Sequence, residues 1–270
     1  MNINTKAYYI AYFDVLGYKA FFEDKGNDIP EFLHSNIELA RDISRKTEKG
    51  TVFSDCRFIV KMFSDNSMIL VEDTKKDDGY KTVKALSYLL AIFQLRFLEK
   101  YRILVRGAIT KGDAYIDNNI VFGEGLIRAV TLEGLANFPR IILDKERLGN
   151  QICDDLCEKC IAKDVDDEYY INFFSVLGTS VGLDDEYSNN VELHVANIRK
   201  NITTLVKKHG KYNRSVKDIK KIAQAERTIS KYTWLLAKYN EFCETIGEGW
   251  AIAYRFELYY RLMKSEIHVG

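Results

Sequence analysis

Residues 57–72, Arg57-Phe58-Ile59-Val60-Lys61-Met62-Phe63-Ser64-Asp65-Asn66-Ser67-Met68-Ile69-Leu70-Val71-Glu72, hold two apolar runs separated only by Ser-Asp-Asn. Short runs of β-branched and aromatic residues broken by turn-forming polar ones read as a hairpin, with strands expected over 57–63 and 67–72. Upstream, residues 7–14 (AYYIAYFD) are apolar and aromatic, which suits a strand buried on both faces and ending at Asp14. Between the two, Asp28 and Pro30 signal a helix start, and Phe32, Ile37, Leu39 and Ile43 carry that helix to about Lys46. Downstream, Lys75 to Asp78 form a polar break. Val83, Leu86, Leu89, Leu90, Phe93 and Phe97 then mark a second amphipathic helix. Residues 103–110 (ILVRGAIT) read as the next strand, with Lys111-Gly112 expected to turn into a short partner at 113–117.

The order strand, helix, hairpin, helix, strand is the ferredoxin-like β-α-β-β-α-β arrangement, so the fold class expected is α+β, an antiparallel sheet flanked by helices. In such a sheet the third strand lies antiparallel beside the first. Asp14, closing the first strand, and Asp65, at the hairpin tip, then meet at one edge. Taken singly, either acid reads as a cap or a turn residue. Two carboxylates that close would repel unless a cation neutralised them, which points to a hard-oxygen site for Mg²⁺ or Mn²⁺ bound to phosphate. A helix following Asp14 would also offer free amides near Leu16, Gly17 and Tyr18 to a phosphate, with Gly17 permitting close approach.

Beyond residue 120 the pattern gives a strand end running into a helix over Val121 to Glu133. Strands follow at Arg140 to Leu143 and Tyr169 to Phe174, then long helical patterns at Val191 to Lys208 and Ser215 to Ile246 and an aromatic segment from Trp250 to Met263. A boundary near Ser188 would divide a catalytic region, 1–187, from a helical extension, 188–270, that braces it or joins two copies. The 270 residues carry 39 Lys+Arg against 39 Asp+Glu, so no global field draws the chain to nucleic acid or an acidic membrane surface. The lysines around 207–221 read as a solvated helical face rather than a nucleic-acid interface. The N-terminal MNINTKAYYIAYF lacks the order of a signal peptide, and no apolar run is long enough to span a bilayer, so a cytosolic location is expected.

Five cysteines include a C-x₃-C-x₂-C run, Cys153, Cys157 and Cys160, with the spacing of the radical S-adenosylmethionine iron–sulfur motif. Lys159 stands where that family usually has an aromatic, and the surrounding helical pattern, Asp144 to Lys163, favours reduced thiols on a helix. His34, His194, His209 and His268 are scattered and suggest neither a triad nor a zinc site.

Phe13-Asp14-Val15-Leu16-Gly17-Tyr18 is similar to the first metal motif of the class III nucleotidyl cyclases, F-x-D-[IVL]-x-G-[FY]. Lys61-Met62-Phe63-Ser64-Asp65 is similar to their second, K-x-x-G-D, with Ser64 in place of Gly. Residues 123–133 (GEGLIRAVTLE) resemble their G-x-x-V-N-x-A-A-R-L-E helix, and the likeness spans about residues 5 to 145. Two departures stand out: the family's ribose-orienting Asn falls at Ile127 and its transition-state Arg at Thr131. Together with Val105-Arg106-Gly107-Ala108-Ile109-Thr110-Lys111-Gly112, the strings look more like the divergent pyrimidine cyclases of bacterial Pycsar antiphage systems.

That resemblance implies an enzyme making cyclic CMP or cyclic UMP from CTP or UTP, which signals to a separate effector. It implies metals on Asp14 and Asp65 with the carbonyl of Val15, Arg106 meeting the triphosphate, Lys61 reading the base, and a head-to-tail homodimer. Read from the residues alone, Arg106 is equally a strand residue paired with an acid, and Lys61 a solvated lysine. A purine cyclase on the same scaffold and an inactive nucleotide- or partner-binding module are the alternatives.

Overall fold

The computed structural model describes residues 4–18, 52–53, 56–74, 79–157, 159–178, 189–210 and 219–253, with isolated positions between 31 and 42. Of the helix expected over 28–46 only Glu31, His34, Ile37, Glu38, Arg41 and Asp42 are described, each of them helical; the boundary near Ser188 and most of the segment from Trp250 to Met263 lie outside the described residues. Strand β1 (Lys6–Leu16) is central, with β3 (Asn66–Glu72) antiparallel on one side and β4 (Leu104–Ile116) antiparallel on the other; β2 (Ile59–Phe63) pairs with the outer edge of β3. The order β2-β3-β1-β4 is the ferredoxin-like one expected from the sequence. The sheet then grows past it through β6 (Ile141–Leu143), parallel to β4, to β8 (Tyr169–Ile171) and β7 (Ile161–Lys163).

Strand β1 is buried on both faces, and its period of two divides the core. Tyr9, Ala11, Phe13 and Val15 join the main cluster with Val83, Leu86, Leu89 and Phe93 of helix α1 (Tyr80–Arg96). Tyr8 and Ile10 face the other way, with Tyr12 beside them, toward Ala129 of helix α2 (Glu124–Leu135). Asp14 continues that second series, so its carboxylate rises on the α2 face.

The expected turn at Lys111-Gly112 does not form. Strand β4 runs unbroken through both residues, and Gly112 serves a different end: a Cβ there would lie 2.6 Å from the Cα of Gly125. The two glycines let α2 rest on β4 at backbone distance. The chain turns instead at Asp117, whose Oδ1 accepts from the amides of Asn119 and Ile120 before the two-residue strand β5 (Val121–Phe122).

The helical pattern over Asp144 to Lys163 breaks into α3 (Lys145–Leu148) and α4 (Asn150–Leu156), parted by Gly149 at φ +93°, before β7 begins. Only Cys153 of the clustered thiols is helical. Burial pushes the Cys153 and Cys160 thiols up to about 12, which keeps them protonated at neutral pH.

After α1 the chain makes a short π-helical segment, Phe97–Tyr101, whose Leu98 and Glu99 carbonyls accept from the Asn201 side chain of helix α5 (Val191–His209). Helix α6 (Ile219–Ile246) packs against α5, and both bury apolar residues in the cluster that holds the sheet, among them Ile198, Ile202, Leu235 and Tyr239.

Candidate functional site at the β1–hairpin edge

The site begins with backbone register. Asp14 is paired with Asn66 across β1 and β3, and the Val15 amide donates to the Asp65 carbonyl at 3.0 Å. That hydrogen bond ties the hairpin turn to the end of β1 and brings the two acids together. The turn itself is Ser64-Asp65, with Ser64 at φ +55°, a conformation glycine adopts freely. This explains why a glycine would fit position 64.

Both acids are half-buried. Asp65 Oδ1 accepts from the Asn66 side chain at 3.2 Å, while Tyr12 donates to the Asn66 Oδ1. Burial, the charges of Asp65 and Glu133, and a hydrogen bond with Asp65 push the Asp14 carboxyl up to about 6, against the opposite pull of Arg106. Burial and the charges of Glu133, Asp14 and Asp65 likewise raise the Tyr12 phenol.

Arg106, paired with Asp14 across β1 and β4, reaches to 3.8 Å from Asp14 Oδ2 and 2.5 Å from Glu133 Oε1 on α2. The second contact is close but misaligned for a hydrogen bond, since Arg106 Nε and Glu133 Oε1 both lack a well-directed partner. Arg106 is thus a cation shared between an acid of the sheet and an acid of the helix.

Other expected residues are placed differently. Strand β1 continues through Val15 and Leu16, with Leu16 opposite Leu104, so Leu16 lies in the sheet rather than in a first helical turn. The chain leaves the sheet at Gly17, φ +76°, where an added Cβ would meet nothing within 4 Å, and Tyr18 follows against the core. Lys61 donates from Nζ to the carbonyls of Asp117 and Asn118, at 2.9 and 3.2 Å, so it clamps the β4–β5 turn. Ile127 is exposed, and the Thr131 hydroxyl donates to the Ile127 carbonyl of its own helix.

Sequence reasoning missed Glu133 and Lys231 as members of this edge. Lys231 lies within electrostatic reach of Arg106, Asp14, Arg227 and Glu133, and burial followed by the charge of Arg106 lowers its pKa. A run of cations on one stripe of α6, Arg227 and Lys231 at i and i+4, was the available signal.

Among the described residues no three His, Cys, Asp or Glu gather closely enough to enclose a metal. The donor set fits a divalent cation in a narrower way: two adjoining carboxylates, one raised by the charge of the other, form an anionic pair whose remaining ligands must come from outside the side chains.

No family model matches the chain, and no curated protein matches it. Solved structures similar to it include the adenylyl cyclase CyaB from P. aeruginosa, at 14% identity, covering 62% of this chain and 94% of that one with a TM-score of 0.45. The catalytic core of a rhodopsin-guanylyl cyclase with converted specificity, in complex with ATPαS, shares 11% identity over 63% of this chain and 98% of its own, TM-score 0.44. An adenylate/guanylate cyclase/hydrolase from Silicibacter pomeroyi shares 16% over 62% and 95%, TM-score 0.41. Likenesses at such scores bear on neither activity nor substrate.

Proposed function

We propose that the chain is a nucleotidyl cyclase that converts CTP or UTP to the 3′,5′-cyclic monophosphate and pyrophosphate. One observation carries this reading: Asp14 and Asp65 are brought side by side by the β1–β3 register, and the charge of Asp65 and burial raise the Asp14 carboxyl to about 6. Mg²⁺ or Mn²⁺ on these carboxylates, with the Val15 carbonyl, would polarise the α-phosphate and ease loss of the 3′-hydroxyl proton. The ribose 3′-oxygen then bonds to the α-phosphorus and the bond to the bridging oxygen of the β-phosphate breaks. Pyrophosphate leaves with that electron pair, and the hydroxyl proton passes to solvent.

Arg106 stands beside Asp14, placed to meet the charge that builds on the phosphates. Gly17 and Tyr18, where the chain leaves the sheet, give a phosphate room to approach. Lys61, held by two turn carbonyls on the strand that leads to Asp65, would exchange them for the base. Ile127 and Leu135 on α2, together with Phe63 and Phe122, leave apolar side chains exposed, which suits a homodimer that buries them. The product would act in the cytoplasm on a separate effector, in antiviral defence by the resemblance to Pycsar cyclases. No helix among the described residues is long and apolar enough to cross a membrane.

A second reading, a module that binds nucleotide without turnover, is favoured by Ile127 and by the self-bonded Thr131, which supply neither a ribose contact nor a cation. Incubating the protein with Mn²⁺ and each of the four nucleoside triphosphates distinguishes them. A cyclic pyrimidine product and pyrophosphate are expected. Only cyclic AMP or GMP would mean a purine cyclase instead, and nucleotide binding without pyrophosphate release would favour the inactive module.

A further inference from the structure

Helix α6 is hooked onto the sheet close to Arg106. The Trp234 indole donates to Asp164 Oδ2 at 2.7 Å and stacks on Phe138, ring centroids 5.8 Å apart, while Lys238 Nζ stands 3.3 Å from Asp164 Oδ1. Asp164 in turn pairs with Arg140, fully buried, whose carbonyl accepts from the amide of Gly107, the residue after Arg106. Lys231 is one helical turn before Trp234 and Arg227 one turn earlier still, so all three lie along one stripe of α6. On other sides of the helix, Ile229 is buried and Tyr232 stacks on His209 of α5, ring centroids 4.6 Å apart, which fixes the rotation of the stripe.

The Lys231 ammonium is half-buried and lies within electrostatic reach of Arg106 and Arg227 as well as Asp14 and Glu133. Among the described residues neither Lys231 nor Arg227 has an acid within ion-pair distance, and Glu133 is already taken by Arg106 at 2.5 Å. Two cations, Arg106 and Lys231, thus stand at an edge whose acids are Asp14, Asp65 and Glu133, with the exposed Arg227 one turn farther along α6. With a divalent cation occupying Asp14 and Asp65, Glu133 alone is left to balance Arg106 and Lys231, the edge becomes net positive, and an anion between the metal and Lys231 is favoured. The anion that suits a metal on one side and lysine and arginine on the other is a polyphosphate.

We propose that Lys231, supported by Arg227, contacts the triphosphate of the bound nucleotide, making helix α6 part of the substrate site. This rests on the nucleoside-triphosphate reading of the Asp14–Asp65 edge. The helix would supply a phosphate-binding cation from the C-terminal part of the same chain.

Calorimetric titration of the full chain with CTP, CMP and inorganic tripolyphosphate, each with Mg²⁺, tests the assignment beside Lys231→Gln, Lys231→Arg and Arg227→Gln. A charge-assisted contact predicts that Lys231→Gln weakens CTP and tripolyphosphate by about tenfold or more and leaves CMP within about twofold; Lys231→Arg should restore most of the loss. Arg227→Gln should show a smaller loss of the same kind. If Lys231→Gln binds CTP as the parent does, the inference is wrong and the function reading survives. If both Lys231 variants lose CTP and CMP alike with a lowered melting temperature, Lys231 is structural and the inference is overturned. If the parent chain binds no triphosphate, the function reading fails and this inference with it.

Discussion

The Val15 amide is bonded to the Asp65 carbonyl, and that one backbone contact sets the distance between two acids 51 positions apart in the chain. It acts with the Asp14–Asn66 pairing, so the carboxylates owe their closeness to sheet register rather than to side-chain attraction. Register of this kind is stiff, because a slip by one residue would turn Asp14 to the opposite face.

Asp14→Asn and Asp65→Asn keep shape and hydrogen-bonding while removing charge. Each should lower pyrimidine cyclase turnover by at least about a hundredfold, the scale of losing an electrostatic group at a phosphate. Circular dichroism melting within a few degrees of the parent would show the fold intact. Full activity in either variant would remove the case for Asp14 and Asp65 as the catalytic metal-binding pair.

Metal binding should depend on pH through Asp14. Its carboxyl titrates near 6 in the fold and near 3.8 when free, so the folded chain holds a proton that the unfolded chain releases between those values. Stability from this group is therefore greatest at low pH and is lost as pH rises through about 6. A divalent cation binds the ionised form, so Mn²⁺ should raise the melting temperature more at pH 7.5 than at pH 5. In Asp14→Asn the difference between the two pH values should disappear.

Helix α2 lies on β4 where Gly125 faces Gly112. A Cβ on Gly125 would stand 2.8 Å from Ile10 Cδ1 and 2.9 Å from the Gly112 carbonyl carbon, the latter unable to yield without backbone movement. Gly125→Ala should cost about 1–3 kcal/mol in urea unfolding. Gly134→Ala, on the same helix with open space around it, should be neutral or stabilising by about 1 kcal/mol.

Arg140 is fully buried with two carboxylate partners, Asp164 and Asp166. Arg140→Met leaves Asp164 enclosed without its guanidinium and should destabilise by about 3–5 kcal/mol. Adding Asp164→Asn to Arg140→Met should recover part of that loss. Strict additivity of the two changes in urea unfolding would show that the pair is not coupled.

Ser64 holds a left-handed φ of +55° at the tip of the hairpin. Ser64→Val should lower stability by about 1–2 kcal/mol, because a β-branched residue resists that conformation, whereas Ser64→Gly should be neutral or slightly stabilising. Equal unfolding midpoints for the two variants would show that the turn relaxes elsewhere.

The central four strands are legible because their signals are local: a continuous apolar run in β1, two apolar runs around Ser-Asp-Asn, and the amphipathic stripe of α1. The features that escape a reading of the chain depend on partners distant in sequence. Gly112 looks like a turn until Gly125 is placed against it. Lys61 looks free until the carbonyls of Asp117 and Asn118 are beneath its ammonium. Asp14 stands in a motif, but Glu133, which raises its pKa, shows along the chain only as part of a helix pattern. Lys231 shows along the chain only as one of two cations at i and i+4, because its place at the edge follows from Trp234 docking on Phe138 and Asp164, neither of which announces itself in sequence.

The Trp234–Asp164 hook also bears on how this protein could be shortened. A truncated chain ending before residue 219 would strip the indole from its seat, leave Asp164 to Arg140 and the Val165 amide, and discard Lys231 from the acidic edge in one cut. Such a fragment would be no miniature of the parent: the core face that α6 covers would be laid open and Lys231 lost in the same step.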